Sequence, residues 1–155
     1  MSTPFVVPPG EGRLLDLGNF EALVIAEGGQ TEESFSLIHT RREPPGFGPP
    51  LHLHRDAAEA FYVLEGTYLV YTDDRRCLCP PGSFVYVPRG VPHTFRVVSD
   101  RAGRKLNLFA PAAMVGFFEG LSRAEANGEA TADLLDRIAE DHDMEILGPV
   151  PDSYL

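Results

Sequence analysis

The chain has 155 residues, enough for one ordinary domain with a real core, and its 43% hydrophobic and 10% aromatic content is a globular composition rather than a disordered one. Thirteen Lys and Arg against 23 Asp and Glu leave a net charge of −10, which repels phosphate backbones and anionic lipid, so neither nucleic acid nor membrane is an expected partner. No apolar run approaches the roughly 20 residues of a membrane span. The opening MSTPFVVPPGEGR lacks the basic start and continuous apolar segment of a secretory leader, so the expected location is cytoplasmic.

Fourteen Pro and 15 Gly are spread along the chain as punctuation between short stretches rich in Val, Phe, Tyr and Leu, the pattern of an all-β domain. In chain order, strands are predicted over Phe20–Ala26, Ser34–Thr40, Leu51–His54, Ala60–Leu64, Thr67–Thr72, Arg75–Cys79, Ser83–Val87, His93–Val98 and Lys105–Phe109. YLVYTDDRRCLC reads as a hairpin turning at Asp73–Asp74, and VVSDRAGRKLNLF as another turning around Asp100–Gly103. Strands joined by such turns pair antiparallel. In AFYVLEG both alternating faces are apolar, Phe61 and Val63 on one and Tyr62 and Leu64 on the other, so one face is expected to line a barrel and the other to meet a second layer or another subunit. Cys77 and Cys79 are too close along one strand for a good disulfide and are expected to be free, structural thiols.

After Ala110 the apolar period changes to three or four. Met114, Phe117, Phe118 and Leu121 mark a first helix, and Leu134, Leu135, Ile138 and Ala139 a second, with Gly128 between them and Thr131 as an N-cap. LGPVPDSYL reads as a coil or tail. The whole chain, 1–155, is then one domain, with a barrel over about 12–110 and an appended helical segment over about 111–147.

The chemistry concentrates in GFGPPLHLHRDAAEAFYVLEG, Gly46 to Gly66. In an extended strand His52 and His54 share a face with Cα atoms roughly 6.6 Å apart, close enough to converge on one ion. Glu59 would face the other way in an uninterrupted strand, so a turn through RDAA is required; Glu59 then opens the next strand on the face of Phe61 and Val63. A third imidazole, His93, begins a strand after the turn residues Pro88 and Gly90, with Phe95 and Val97 on its face. Three neutral imidazoles and a carboxylate suit divalent Fe, Mn, Co, Ni, Cu or Zn better than Ca or Mg, and leave positions open for a substrate or dioxygen. A lone His-x-His pair is an ordinary polar pattern on a strand; the joint occurrence of these elements is what gives it weight.

That joint pattern resembles the two cupin motifs. Gly46, His52, His54, Glu59 and Gly66 match the first at full spacing, and Gly82, Pro88, Gly90 and His93 match the second. Val97 stands where the second motif often ends in Asn, which is not a ligand in that family. The resemblance implies an antiparallel jelly-roll β-barrel, mainly β with two short C-terminal helices, in which His52, His54, Glu59 and His93 hold one divalent transition metal per chain. Within the family the chain is similar to the quercetin-dioxygenase-like subgroup, which implies an oxygenase acting on a small aromatic or enolisable substrate with dioxygen. Glu59 would then be base as well as ligand. The alternatives are a metal-dependent isomerase or lyase in which Glu59 or His39 moves a proton, and a non-catalytic small-molecule-binding protein.

Phe61, Val63 and Phe95 are expected to form an apolar substrate wall that excludes water. His39, which alternates with Phe35 and Leu37, is expected to look into the barrel as a hydrogen-bonded wall residue or a substrate contact. Tyr62, Leu64, Leu69 and Tyr71 cannot all point inward, and the surplus apolar face, with the habit of cupins to dimerise, leads to an expected homodimer.

Overall fold

A computed structural model of the protein describes residues 3–72 and 74–149. Among these, β1 (Arg13–Asp16), β2 (Glu21–Ala26) and β3 (Ser36–Glu43) are followed by β4 (Leu51–His54), β5 (Ala58–Glu65) and the hairpin of β6 (Tyr68–Thr72) and β7 (Arg75–Cys79). Then come β8 (Phe84–Val87), β9 (His93–Val97), β10 (Gly103–Ala110), helices α1 (Val115–Ala126) and α2 (Ala132–Asp141), and β11 (Met144–Gly148). The strands form two antiparallel sheets, one in the order β1-β2-β3-β10-β5-β8 and one in the order β11-β4-β9-β6-β7. This is a jelly roll of two sheets; the expected barrel is not closed into one hydrogen-bonded cylinder.

Every strand expected from the sequence is present, with ends shifted by a few residues, but β9 and β10, expected as a hairpin, lie in different sheets: the turn between them carries the chain across the sandwich. The Thr72↔Arg75 pairing fits the tight β6–β7 turn, although Asp73 lies outside the described residues. Both helices form. Thr131 caps α2 by accepting the Leu134 amide at 3.3 Å, and Gly128, at φ +67°, reverses the chain between the helices. Cys77 is exposed and Cys79 buried, and both are free.

Two strands were not anticipated. β1 pairs with β2 over four residues, and β11 pairs with β4, placing Met144 opposite His54 and Ile146 opposite His52. Met144 therefore belongs to a strand rather than to the second helix, and the chain leaves residue 143 extended rather than as coil. The described part of the expected tail, from Leu147, completes β11 and ends beyond Gly148; Val150 onward lies outside the described residues.

Two apolar clusters fill the molecule. One, built on Phe61, Val63, Tyr68, Val70 and Val97, sits between the sheets; the other joins Ile38, Phe109, Met114, Ala139 and Met144 and seats the helices. Phe117, Phe118 and Leu121 of α1 pack on the second cluster, so the helices roof one end of the sandwich.

Candidate metal centre

β4 lies in the five-stranded sheet and β5 in the six-stranded one, so the chain crosses between sheets at the bend Arg55–Asp56. That crossing supplies the turn the sequence requires: it swings Glu59 to face the two histidines it follows. β9 runs beside β4 with His93 opposite His52. All four side chains are buried, and one ligand atom from each lies within 4.8 Å of every other. His93 Nε2 is 2.7 Å and His54 Nε2 3.0 Å from the same oxygen of Glu59, Oε2.

The tautomers suit an ion. His52 Nδ1 donates to the Pro50 carbonyl at 2.8 Å and His93 Nδ1 to the Val91 carbonyl at 2.9 Å. With Nδ1 carrying the proton, the neutral rings turn the lone pairs of Nε2 inward, toward one another and toward a carboxylate, an arrangement that needs a positive charge at its centre. His54 Nδ1 is buried with no hydrogen-bond partner, and His54 also lines a second, smaller cavity of about 170 Å³ together with Asp56, His142 and Asp143. The four residues thus fit a divalent ion, and the group can hold one.

The electrostatics point the same way. Burial pushes the Glu59 carboxyl up, but the hydrogen bonds and charges of His54 and His93 overcome it and hold it well below the ordinary carboxylate value. Burial lowers His93, and the bond to Glu59 more than reverses this, raising it above its usual 6.5. His52, desolvated and beside His93, falls to about 3.

These shifts fix a pH dependence for the chain in EDTA. Unfolded His52 takes a proton near 6.5 and folded His52 only near 3, so stability falls as pH drops through that window, by at most about 1.4 kcal/mol per pH unit. Glu59, depressed in the fold, adds to the loss as the pH approaches its folded value. His93 acts oppositely: its contribution is complete below 6.5 and is lost as pH rises through its raised folded value. Urea midpoints should therefore fall as pH drops from 6.5 to 5, and a midpoint that rises on that descent would contradict the assignment.

The tetrad stands beside a cavity of about 510 Å³ between the sheets and the helical roof, in whose wall lie His52, His54, Glu59 and Phe95. Of the residues expected to meet a substrate, Phe95 lines this cavity. Phe61 and Val63 share the inward face of β5 with Glu59 but sit deeper in the core, Phe61 stacking edge-on against Phe95 with centroids 6.1 Å apart. His39 is corrected: the inward residues of β3 are Ser36, Ile38 and Thr40, and His39 lies on the outer face, where Arg104 Nη1 approaches its Nε2 at 3.5 Å. Leu37, which suggested an inward face, instead packs in the outer layer.

A polar cluster in the cavity wall escaped the sequence reading. Lys105, Glu43, Thr40, Asn107 and Tyr68 are all buried. Lys105 Nζ donates to Thr40 Oγ1 at 3.0 Å and Asn107 Oδ1 at 2.9 Å, and pairs with Glu43 Oε1 at 3.2 Å. Tyr68 donates to Glu43 Oε1 at 2.7 Å, and Nζ stands 4.2 Å from the centre of the Phe95 ring.

A cupin domain model matches residues 40–109, which include all four candidate ligands. Quercetin 2,3-dioxygenase of Bacillus subtilis strain 168 is 33% identical over 98 residues, covering 63% of this chain and 29% of that protein. Over the segment that holds the four candidate ligands, the chain is thus similar to the cupin domain. Among solved structures, a predicted oxalate decarboxylase from Thermotoga maritima aligns with a TM-score of 0.63 at 16% identity, over 69% of this chain and 99% of that one. KdgF from Halomonas sp. aligns with a TM-score of 0.62 at 16% identity, over 70% and 94%. At such identities these two neighbours speak for the fold alone. The chain spans less than a third of the length of the dioxygenase it matches. Among the described residues no helix is long and apolar enough to cross a membrane.

Proposed function

We propose that this protein is a cupin that acts as a metal-dependent oxygenase of a small aromatic or enolisable substrate. The observation that carries the reading is the convergence of His52, His54, Glu59 and His93 on one point, with the first three in the wall of a cavity otherwise lined largely by Phe, Leu, Met and Pro. The likeness to a quercetin 2,3-dioxygenase supports it. One divalent transition metal per chain, Fe, Mn, Co, Ni, Cu or Zn, would supply polarisation of an enol or phenol oxygen and, if redox-active, electrons for dioxygen. The chain's own residues do the rest. Pro50 and Val91 carbonyls orient the imidazoles of His52 and His93. Glu59, held as a carboxylate, receives the proton of the substrate hydroxyl. Phe95, Phe109 and the aromatic residues of α1 keep water from the reactive oxygen.

The test is oxygen uptake by protein reconstituted separately with Fe(II), Mn(II), Ni(II) and Cu(II) and given flavonols, catechols and β-diketones. Consumption that depends on both metal and substrate is expected. Substrate turnover without oxygen uptake would replace the reading with a Lewis-acid isomerase or lyase, and binding without turnover with a binding protein.

We further infer that the chain pairs with a second copy. Tyr62, Phe84 and Tyr86 lie 44%, 66% and 59% exposed on the outer face of the sheet, Tyr62 directly opposite Phe84 and Ala60 opposite Tyr86. Tyr71, by contrast, is buried within the chain. A contiguous apolar face of this kind at a sheet edge supports an interface. Light scattering should give twice 17.0 kDa, and Phe84→Glu with Tyr86→Glu should return the monomer mass; a monomer in the unaltered protein would refute the pairing.

A further inference from the structure

The oxygenase reading leaves the substrate's charge open, and the wall of the cavity speaks to it. Four carboxylates line the cavity, Glu43, Glu59, Glu125 and Asp136, against one cation, Lys105. No Arg lines it. Lys105 would be the natural anchor for a carboxylate or phosphate, yet its three N–H groups are already directed to Thr40 Oγ1, Asn107 Oδ1 and Glu43, and its charge is matched by the Glu43 carboxylate at 3.2 Å. To bind an anion, Lys105 would have to surrender one of these bonds and bring the anion against Glu43 in a poorly screened interior. The unused capacity of the cluster is of the opposite kind. Glu43 Oε1 accepts from Tyr68, Thr40 and Lys105, while Oε2 has only Lys105, at 3.4 Å. The open position is an acceptor, suited to a ligand hydroxyl.

At the tetrad a divalent ion and the Glu59 carboxylate would together leave one positive charge, which a single ligand oxygen would neutralise once its proton, taken up by Glu59, has passed on to solvent. A second anionic group on the same ligand finds no unmatched cation in the cavity and meets the carboxylates of Glu125 and Asp136, which are exposed residues of its lining.

Resting on the oxygenase reading for the role of the tetrad, we propose that the cavity selects ligands that carry no permanent charge: hydroxylated aromatic or enolic molecules that ionise one oxygen at the tetrad and present a further hydroxyl to Glu43, to the exclusion of carboxylates and phosphates. Glu43 is then a specificity-determining residue.

The experiment compares two probes, catechol and 3,4-dihydroxybenzoate, which differ by one carboxylate, titrated calorimetrically into zinc-loaded protein so that no turnover is involved. Catechol should bind at least about tenfold tighter, the equivalent of about 1.4 kcal/mol. Glu43→Gln removes the partner of Lys105 and should shrink or reverse the ratio. Glu125→Gln with Asp136→Asn, both exposed, should raise affinity for 3,4-dihydroxybenzoate severalfold relative to catechol. Equal or tighter binding of 3,4-dihydroxybenzoate by the unaltered protein, or a ratio that neither variant moves, would overturn the proposal. Failure of the chain to take up zinc would instead strike the metal reading; the same titrations on the metal-free chain then decide the charge preference, with the same order expected.

Discussion

Replacing His52 and His54 together with Ala should abolish retention of divalent metal through gel filtration, from an expected occupancy of about one ion per chain, as read by elemental analysis of protein purified without a histidine tag. The two rings supply half of the tetrad from one strand, and β4 cannot offer substitutes: Leu51 and Leu53 point to its other face. Metal held at full occupancy by the double variant would remove the site assignment. Glu59→Gln separates ligation from proton transfer. The amide preserves shape and one oxygen donor but cannot stay charged or accept a proton, so metal should be weakened modestly while turnover drops ~10²–10⁴-fold. Unchanged turnover would take Glu59 out of the chemistry.

The largest effect on stability is expected at the buried ammonium. Lys105 and Glu43 are each 1% exposed, and removing one member leaves the other charged and unpartnered in the interior. Lys105→Met should therefore cost about 3–5 kcal/mol in urea unfolding. Joining it with Glu43→Leu should recover most of that, because an apolar pair of similar volume needs no compensation. The remaining cost would come from the Tyr68 hydroxyl and Thr40 Oγ1, which lose the acceptor they share. A single variant as stable as the parent would mean that solvent reaches the cluster.

The comparison of these two clusters explains what the sequence could disclose. The tetrad was legible because its residues are rare types at fixed spacing on short strands, and because the Arg55–Asp56 bend was demanded by the parity of Glu59 relative to His54. The Lys105 cluster was hidden by the same alternation rule that reveals strands. In GRKLNLFA the polar face is Lys105 and Asn107 and the apolar face Leu106 and Leu108, and the simple expectation sends the polar face to water. The structure does the reverse, burying Lys105, Asn107 and Phe109 while the leucines are half-covered in the outer layer. His39 was misplaced for the same reason, being one residue out of phase with Thr40. β11 had a faint signal, the alternation of Met144 and Ile146 before Gly148–Pro149, but five residues after a helix carry little periodicity. Its partner lies 90 positions earlier, from His54 to Met144, a distance no local pattern reports.

That remote pairing bears on how the protein comes together in time. β4 is held on one side by a single paired position with β9 and on the other by β11. The strand that carries two of the four ligands is thus anchored chiefly by a segment that can join it only after the helices between have been laid down. Contacts of such long sequence separation form late and slowly. An ion binding the tetrad would bridge β4, β5 and β9 across both sheets only once this has happened, so it should act as a brake on unfolding and leave the rate of folding nearly unchanged. In stopped-flow experiments the metal would then appear in the unfolding limb alone.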